Sequence, residues 1–352
     1  MVETPQDLTD VTAEWMSEVL GAPVDAVDVR PIAEGAGFMG RLARVAITAS
    51  AADMPTSVIV KLPTADPGGR MIGEMMRVWE REHRFYAEVA PAMTVRVPKV
   101  YANVADPPCL VLEDLAPAVP GDHVAGATLD QATRAIDALA RHHAAWFDHP
   151  RLPELTWMPG LDDPMTHTLK DTFDMGWPMF LQRYGNELPA RCLRWCETFV
   201  QDVPGWVAKH FDEPITIIHG DYRLDNLFFT DDGDVAIIDW QMAMRAPGQT
   251  DVVYFCANNL TTPMRRAEER ALVERYVAGM HVAGVPSDAV TFDGVWRGYL
   301  EGLVFYAMTF GASLLTIDPA NERGAALFDA LVRRTFAAVD DLDAGARIGL
   351  DD

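Results

Sequence analysis

Residues 217–240 read IIHGDYRLDNLFFTDDGDVAIIDW and crowd aspartates, one His and one Asn between two apolar runs. ITIIH (215–219) has the pattern of an apolar strand that ends in a polar loop. LFFT and VAIID are apolar runs joined by DDGD, and Asp-Gly is a strong hairpin signal. A two-residue turn at Asp232-Gly233 and a four-residue loop over 231–234 give the same register. Counting outward from either opposes Asn226 to Asp239. An amide oxygen beside a carboxylate suits a hard, oxygen-loving ion such as Mg²⁺. Asp221 comes just ahead, in the loop that leads in. Three readings compete for this stretch: a metal-dependent hydrolase, a phosphate-transfer site, or a solvated acidic hairpin with no chemistry.

The whole chain narrows the choice. Its 352 residues are enough for about two lobes, and at 49% hydrophobic residues it can bury a substantial core. A formal net charge of -23, spread along the chain, argues for solubility and against nucleic-acid binding. The N-terminal residues carry no basic, apolar signal pattern, and the apolar run 302–317 is short for a membrane span. Cys109, Cys192, Cys196 and Cys256 lack the second Cys/His pair of a zinc site and read as free thiols. A cytoplasmic protein without a membrane partner is the expectation. The sequence sets no oligomeric state.

Periodicity gives the organisation. A first helix is expected over about 11–20, capped by Thr9 or Asp10 and stopped by Gly21. VDVRPI, RLARVAITA, SVIVKLP, VPKVYAN and CLVLEDL read as strands, with one amphipathic helix over 74–91. The Pro/Gly-rich stretch 116–126 marks a boundary. The expectation is an α+β chain: a strand-rich N-terminal lobe, 1–115, with one main helix, then a larger, mostly helical lobe, 116–352. The second includes a helical insertion over 150–213.

Two features of the first lobe point to phosphates. Gly35, Gly37 and Gly40 form G-x-G-x-x-G, but a strand rather than a helix follows, which favours a glycine-rich hairpin over a dinucleotide fold. An ordinary turn remains the bland alternative. Lys61 closes the apolar strand SVIVK, and a buried ammonium needs a phosphate or carboxylate partner. The alternative is a lysine that snorkels at the sheet edge.

The motifs together resemble the protein-kinase-like small-molecule kinases, the family of aminoglycoside phosphotransferases and choline kinases. Its catalytic loop, H-G-D-x-x-x-x-N, matches His219-Gly220-Asp221 to Asn226, and its metal motif matches Ile238-Asp239-Trp240. GAGFMGRLARV, EREHRFY, LVLEDL and HGDYRLDN look closest to the branch of ecdysteroid-kinase-like proteins and hydroxyacyl-CoA kinases. The resemblance implies a two-lobed protein-kinase-like fold and transfer of the ATP γ-phosphate to an alcohol. It implies Asp221 as base with His219 in the same catalytic loop, and Asn226 and Asp239 on Mg²⁺. Lys61 would bind phosphates and pair with Glu82, chosen over Glu80 and Glu74 on the same helix. Backbone at Glu113, Asp114 and Leu115 would hold adenine, and Asp251 would brace the catalytic loop, a role compatible with a helix N-cap. The expected partner is a small-molecule alcohol.

The acceptor is read from composition. Trp177 belongs to an aromatic group (with Trp157, Phe173, Phe180, Tyr184 and Trp206) that either lines a pocket for an apolar alcohol or simply packs helices. Glu301 and Tyr306 are further candidates. His142 and His143 read as structural, one facing the core and one facing water. Two other functions stay open: a nucleotide-binding pseudokinase without turnover, and the metallohydrolase. The latter lacks an H-x-H or H-E-x-x-H pattern.

Overall fold

The computed structural model describes residues 4–32, 39–51, 53–161, 163–209, 213–316 and 322–351. Its elements begin with α1 Ala13–Leu20, β1 Ala26–Ile32, β2 Gly40–Thr48, β3 Ser57–Pro63, α2 Pro67–Met75, α3 Val78–Arg84, β4 Val100–Ala105 and β5 Pro108–Glu113. They continue with β6 Val119–Pro120, α4 Leu129–Trp146, α5 Leu169–Tyr184, α6 Ala190–Phe199, α7 Val203–Lys209 and β7 Thr216–Ile218. The last are β8 Leu227–Phe229, β9 Val235–Ile237, β10 Met244–Ala246, α8 Gln249–Asn259, α9 Thr262–Val282, α10 Phe292–Ser313, α11 Glu322–Asp341 and α12 Ala344–Arg347. The architecture is α+β, and the chain divides into two units: residues 1–119 with 236–242, and residues 120–235 with 243–352.

In the first unit an antiparallel sheet has the order β1-β2-β3-β5-β4. Strand alternation puts Val58, Val60 and Leu62 into a core with Val45, Val111 and the α1 residues Trp15 and Met16. Lys61, between two of them in sequence, therefore leaves β3 on the opposite face. Thr12, not Thr9 or Asp10, caps α1 by accepting the Trp15 N–H, because Asp7 already caps a short 3₁₀ turn over Leu8–Asp10. Gly21 ends the helix at φ 69°.

The single helix expected over 74–91 is broken. α2 ends before Met76, Arg77 takes a left-handed φ of 55°, and α3 starts afresh and runs on as a π-helical turn over Phe85–Val89. The Trp79 ring folds back over α2, so close to Gly73 that an added Cβ there would lie 2.7 Å from it. Its indole N–H is held by the Met39 carbonyl at 3.0 Å. The π turn presents Phe85 to Trp240, stacked at 4.3 Å between ring centroids. Segment 236–242 is joined to this unit by the Ile237 N–H, which donates to the Arg96 carbonyl at 2.9 Å.

In the second unit Thr128 and Gln131 form a capping box that starts α4. α4 packs on α9 and on β7, and β7 pairs antiparallel with β10. α5 crosses α10 at glycines: a Cβ on Gly176 would strike the Gly311 carbonyl. An exposed helical Gly→Ala change gains up to about 1 kcal/mol. Gly176→Ala is instead expected to destabilise by about 1–3 kcal/mol, read as a lower urea midpoint.

The hairpin turn differs from the counted one. Thr230 N donates to the Asp234 carbonyl at 3.1 Å, Gly233 N to the Thr230 carbonyl at 3.2 Å, and Gly233 has φ 91°. This is a three-residue loop, 231–233, with its glycine in the left-handed position of a bulge. Thr230 opposes Asp234 instead of Val235, so counting outward no longer opposes Asn226 to Asp239. Nor is the tip merely solvated. Arg134 of α4 donates to the carbonyls of Thr230, Gly233 and Asp234, and Arg141 lies 3.1 Å from the Asp234 carboxylate.

Candidate active site

The first unit gathers one set of polar groups. Lys61 Nζ lies 2.7 Å from Glu82 Oε2 and 2.7 Å from Asp239 Oδ1, with Gln241 Oε1 at 3.3 Å. Three acceptors thus match the three N–H donors of one ammonium. Burial works against the charge, but the Asp239 and Glu82 carboxylates outweigh it and hold the lysine above its ordinary pKa. Burial pushes the Glu82 carboxyl up to about 7, with Lys61 pulling against it. Glu80 is turned elsewhere, paired with Arg77 at 2.9 Å, and Glu74 lies near Arg70.

Asp239 stands on left-handed backbone, φ 65°. A non-glycine residue there costs about 1–3 kcal/mol and needs surroundings that fix it. Lys61 on its carboxylate and the Trp240–Phe85 stack beside it provide them. Gly40, the last of the three motif glycines, opens β2, where a Cβ would sit 3.4 Å from the Lys61 side chain. Gly35 and Gly37 lie outside the described residues.

At the end of β5 the side chains of the expected adenine segment do structural work. Glu113 accepts from Arg96 at 2.9 Å and from Lys99 N at 3.1 Å, and its own N–H donates to the Lys99 carbonyl. Asp114 binds Arg44 and the Ser57 hydroxyl, both at 2.7 Å. Leu115 is buried.

The second unit gathers the other set around the loop after β7. Asp251 lies in the first turn of α8, whose N-cap is Gly248, so it is not a cap. Its fully buried carboxylate accepts the N–H groups of His219 at 2.6 Å and Gly220 at 3.0 Å, with His143 Nε2 at 3.3 Å. Burial alone would raise its pKa, yet these donors and the neighbouring imidazoles hold it below the usual carboxylate range. The His219 ring is buried, and its Nδ1 accepts the Asp221 N–H at 3.2 Å. His142 and His143 are both fully buried, which corrects the expectation that one faces water. α4 packs on both α9 and β7, and the two histidines fall within that packing while the neighbouring Arg141 stays exposed.

These supports fix Asp221. Its Oδ1 accepts the Tyr254 hydroxyl at 2.8 Å, and Arg223 Nε lies 3.2 Å from Oδ2. Asn226 Nδ2 donates to the Asp221 carbonyl at 3.0 Å and to Oδ2 at 3.3 Å, leaving the amide oxygen as the remaining acceptor. Asp225 has its own work, accepting the His123 N–H at 3.2 Å. Sequence does not single out Tyr254, Arg223 or Gln241, and it gives His143 only a structural reading. Tyr254 was the most accessible of them: it follows Asp251 by three residues, so both lie on one face of α8.

A cavity of about 180 Å³ opens beside this loop. Gly220 lines it along with Leu161, Trp206, Met244, Phe305 and Tyr306, so its walls are mainly apolar. Trp206 and Phe305 stack at 4.9 Å, and Tyr306 meets Tyr254 edge-on at 5.1 Å. Trp177 is elsewhere, stacked between Phe173 and Phe180 in the α5 packing with its indole N–H on Glu197 at 2.9 Å. Glu301 lies on α10 between the cavity-lining Gly298 and Gly302 but outside the lining. Among the described residues, no three His, Cys, Asp or Glu side chains converge as metal ligands, and no helix is long and apolar enough to cross a membrane.

Comparison with known proteins bears on the fold and the family. The macrolide 2'-phosphotransferase of Brachybacterium faecium is 17% identical, with a TM-score of 0.55 over 93% of this chain and 98% of its own. Choline kinase from Cryptosporidium parvum is 10% identical, with a TM-score of 0.56 over 93% of this chain and 94% of its own. The streptomycin–ATP ternary complex of APH(2")-IIa is 11% identical, with a TM-score of 0.51 over 91% of this chain and 99% of its own. At these identities the likeness is one of fold. No curated protein matches the sequence. The model of the ecdysteroid kinase-like family matches residues 34–283, and with most of the chain inside that match, the protein belongs to the ecdysteroid kinase-like family and is of the small-molecule-kinase type.

Proposed function

We propose that the protein transfers the γ-phosphate of ATP to the hydroxyl of a small apolar alcohol. The observation that carries this reading is Asp221: an acidic side chain oriented by Tyr254 and Asn226 on a loop that Asp251 braces from beneath. Such a carboxylate can orient an acceptor hydroxyl and take its proton. Mg·ATP supplies the phosphoryl group and the cation that neutralises its charge. The donor chemistry fits: Asp239 and Asn226 offer hard oxygens suited to Mg²⁺. Lys61 would offer its ammonium to the phosphates, and Glu82, its second carboxylate partner, would hold it in place. Backbone at 113–115 and the glycine motif are the expected contacts for adenine and phosphates. The apolar cavity beside Gly220 supports an alcohol with an apolar body, such as a sterol-like alcohol or the acyl part of a hydroxyacyl-CoA, over a polycationic aminoglycoside.

The test is ATP consumption with Mg²⁺ over sterols, hydroxyacyl-CoAs, sugars and aminoglycosides. Turnover only with apolar alcohols is expected. Mg·ATP binding without turnover of any acceptor would favour a pseudokinase, and phosphoester cleavage without ATP would favour a hydrolase. Asp239→Ala is expected to weaken Mg·ATP binding about tenfold or more by calorimetry, since a bound cation contributes several kcal/mol.

A further inference from the structure

A second cavity, of about 200 Å³, lies in the second unit, and among the described residues Gln249 alone lines both it and the cavity beside the catalytic loop. The two adjoin along shared elements. On α10, Gly294, Val295 and Arg297 line the second cavity, while Gly298 and Gly302 line the first. On β7, Thr216 faces one and Ile218 the other. The Gln249 side chain is tied at one point and lies close against α10. Its Nε2 donates to Glu213 Oε2 at 2.9 Å. Gly298 leaves room for it: a Cβ there would come within 2.7 Å of that same nitrogen. One anchored side chain thus stands where two cavities of similar size meet.

We propose that Gln249 sets the length of the acceptor by closing the far end of the apolar cavity. This rests on the reading of that cavity as the acceptor site. Methylenes of a bound alcohol are buried until the chain reaches Gln249. Beyond it, extra carbons must displace an amide tethered to Glu213 or remain in water. Removing the side chain joins the cavities and makes room for a longer chain.

The test is direct binding of a series of 1-alkanols of increasing length, by calorimetry, without nucleotide. In the wild type, affinity is expected to rise about fourfold per methylene, the factor for about 0.8 kcal/mol of transfer, and then to stop at a cut-off length. Gln249→Ala is expected to move that cut-off to longer chains by two carbons or more, while Gln249→Met, which keeps the bulk, leaves it in place. Glu213→Ala, which frees the amide, is expected to shift it in the same direction by less, and it provides an independent reading if Gln249→Ala folds poorly. Identical cut-offs in wild type, Gln249→Ala and Glu213→Ala overturn the proposal. A wild type that binds no alkanol overturns both it and the acceptor cavity. Alkanol binding with the expected shift but no ATP-dependent phosphorylation overturns the kinase reading alone.

Discussion

Asp221→Asn is expected to lower turnover about 10³-fold while nucleotide affinity stays within about threefold of the wild type, the pattern of a group that acts in proton transfer rather than in binding. The substitution is close to isosteric, and the Asp221 carbonyl still accepts from Asn226 at 3.0 Å, so the loop keeps its main-chain tie. What is lost is the capacity to take a proton from the acceptor. The second partner, Tyr254, separates positioning from chemistry. Tyr254→Phe removes the 2.8 Å hydroxyl donor yet leaves the carboxylate, so its cost is expected to be nearer tenfold. Single-turnover phosphate transfer and equilibrium nucleotide titration of the two variants check this. Undiminished transfer by Asp221→Asn would remove the base from the scheme.

The second large effect is on folding. Asp251→Ala leaves the His219 and Gly220 N–H groups buried without their acceptor and takes away a partner of His143, so a loss of about 3–5 kcal/mol is expected. Its pH dependence follows from the lowered pKa of Asp251. A carboxyl whose folded-state pKa lies below its unfolded value of about 3.9 stabilises fully above that value and ceases to as pH falls through the folded value. Urea midpoints of wild type and Asp251→Asn should therefore lie furthest apart at neutral pH and converge below about pH 4. A gap of less than about 0.5 kcal/mol at pH 7 is what an inert surface site gives, and it would mean the loop is not braced from Asp251.

Much of this site was readable because its groups violate local expectations. A lysine ending an apolar strand and acids clustered beside an Asp-Gly turn each ask for a partner, and those signals are local. What escaped was set by tertiary packing. Arg77 breaks the α2–α3 helix although arginine favours helices; the cause is the fit of Trp79 over Gly73. Gly233 suits a two-residue and a three-residue loop equally, so sequence could not choose the register that the Thr230–Asp234 pair adopts. An inside–outside pair at His142 and His143 is what helical spacing predicts, but spacing says nothing of a helix that packs on two partners, α9 and β7, at once. Tyr254 is the exception: its three-residue spacing from Asp251 in a helical stretch was there to be read.

The return of residues 236–242 to the first unit bears on the order in which the chain matures during synthesis. Lys61, Glu82 and Phe85 are made early, but Asp239 and Trp240, which complete their ion pair and ring stack, emerge from the ribosome more than 150 residues later. Domains generally fold as units as they are synthesised. Here the N-terminal unit has to wait, with a lysine and a glutamate already committed and the Arg96 carbonyl still without the Ile237 N–H, until the segment made after α4–α7 arrives. A chain stalled before residue 236 would hold the sheet without its final ligand for Lys61, an intermediate for chaperones rather than a finished lobe.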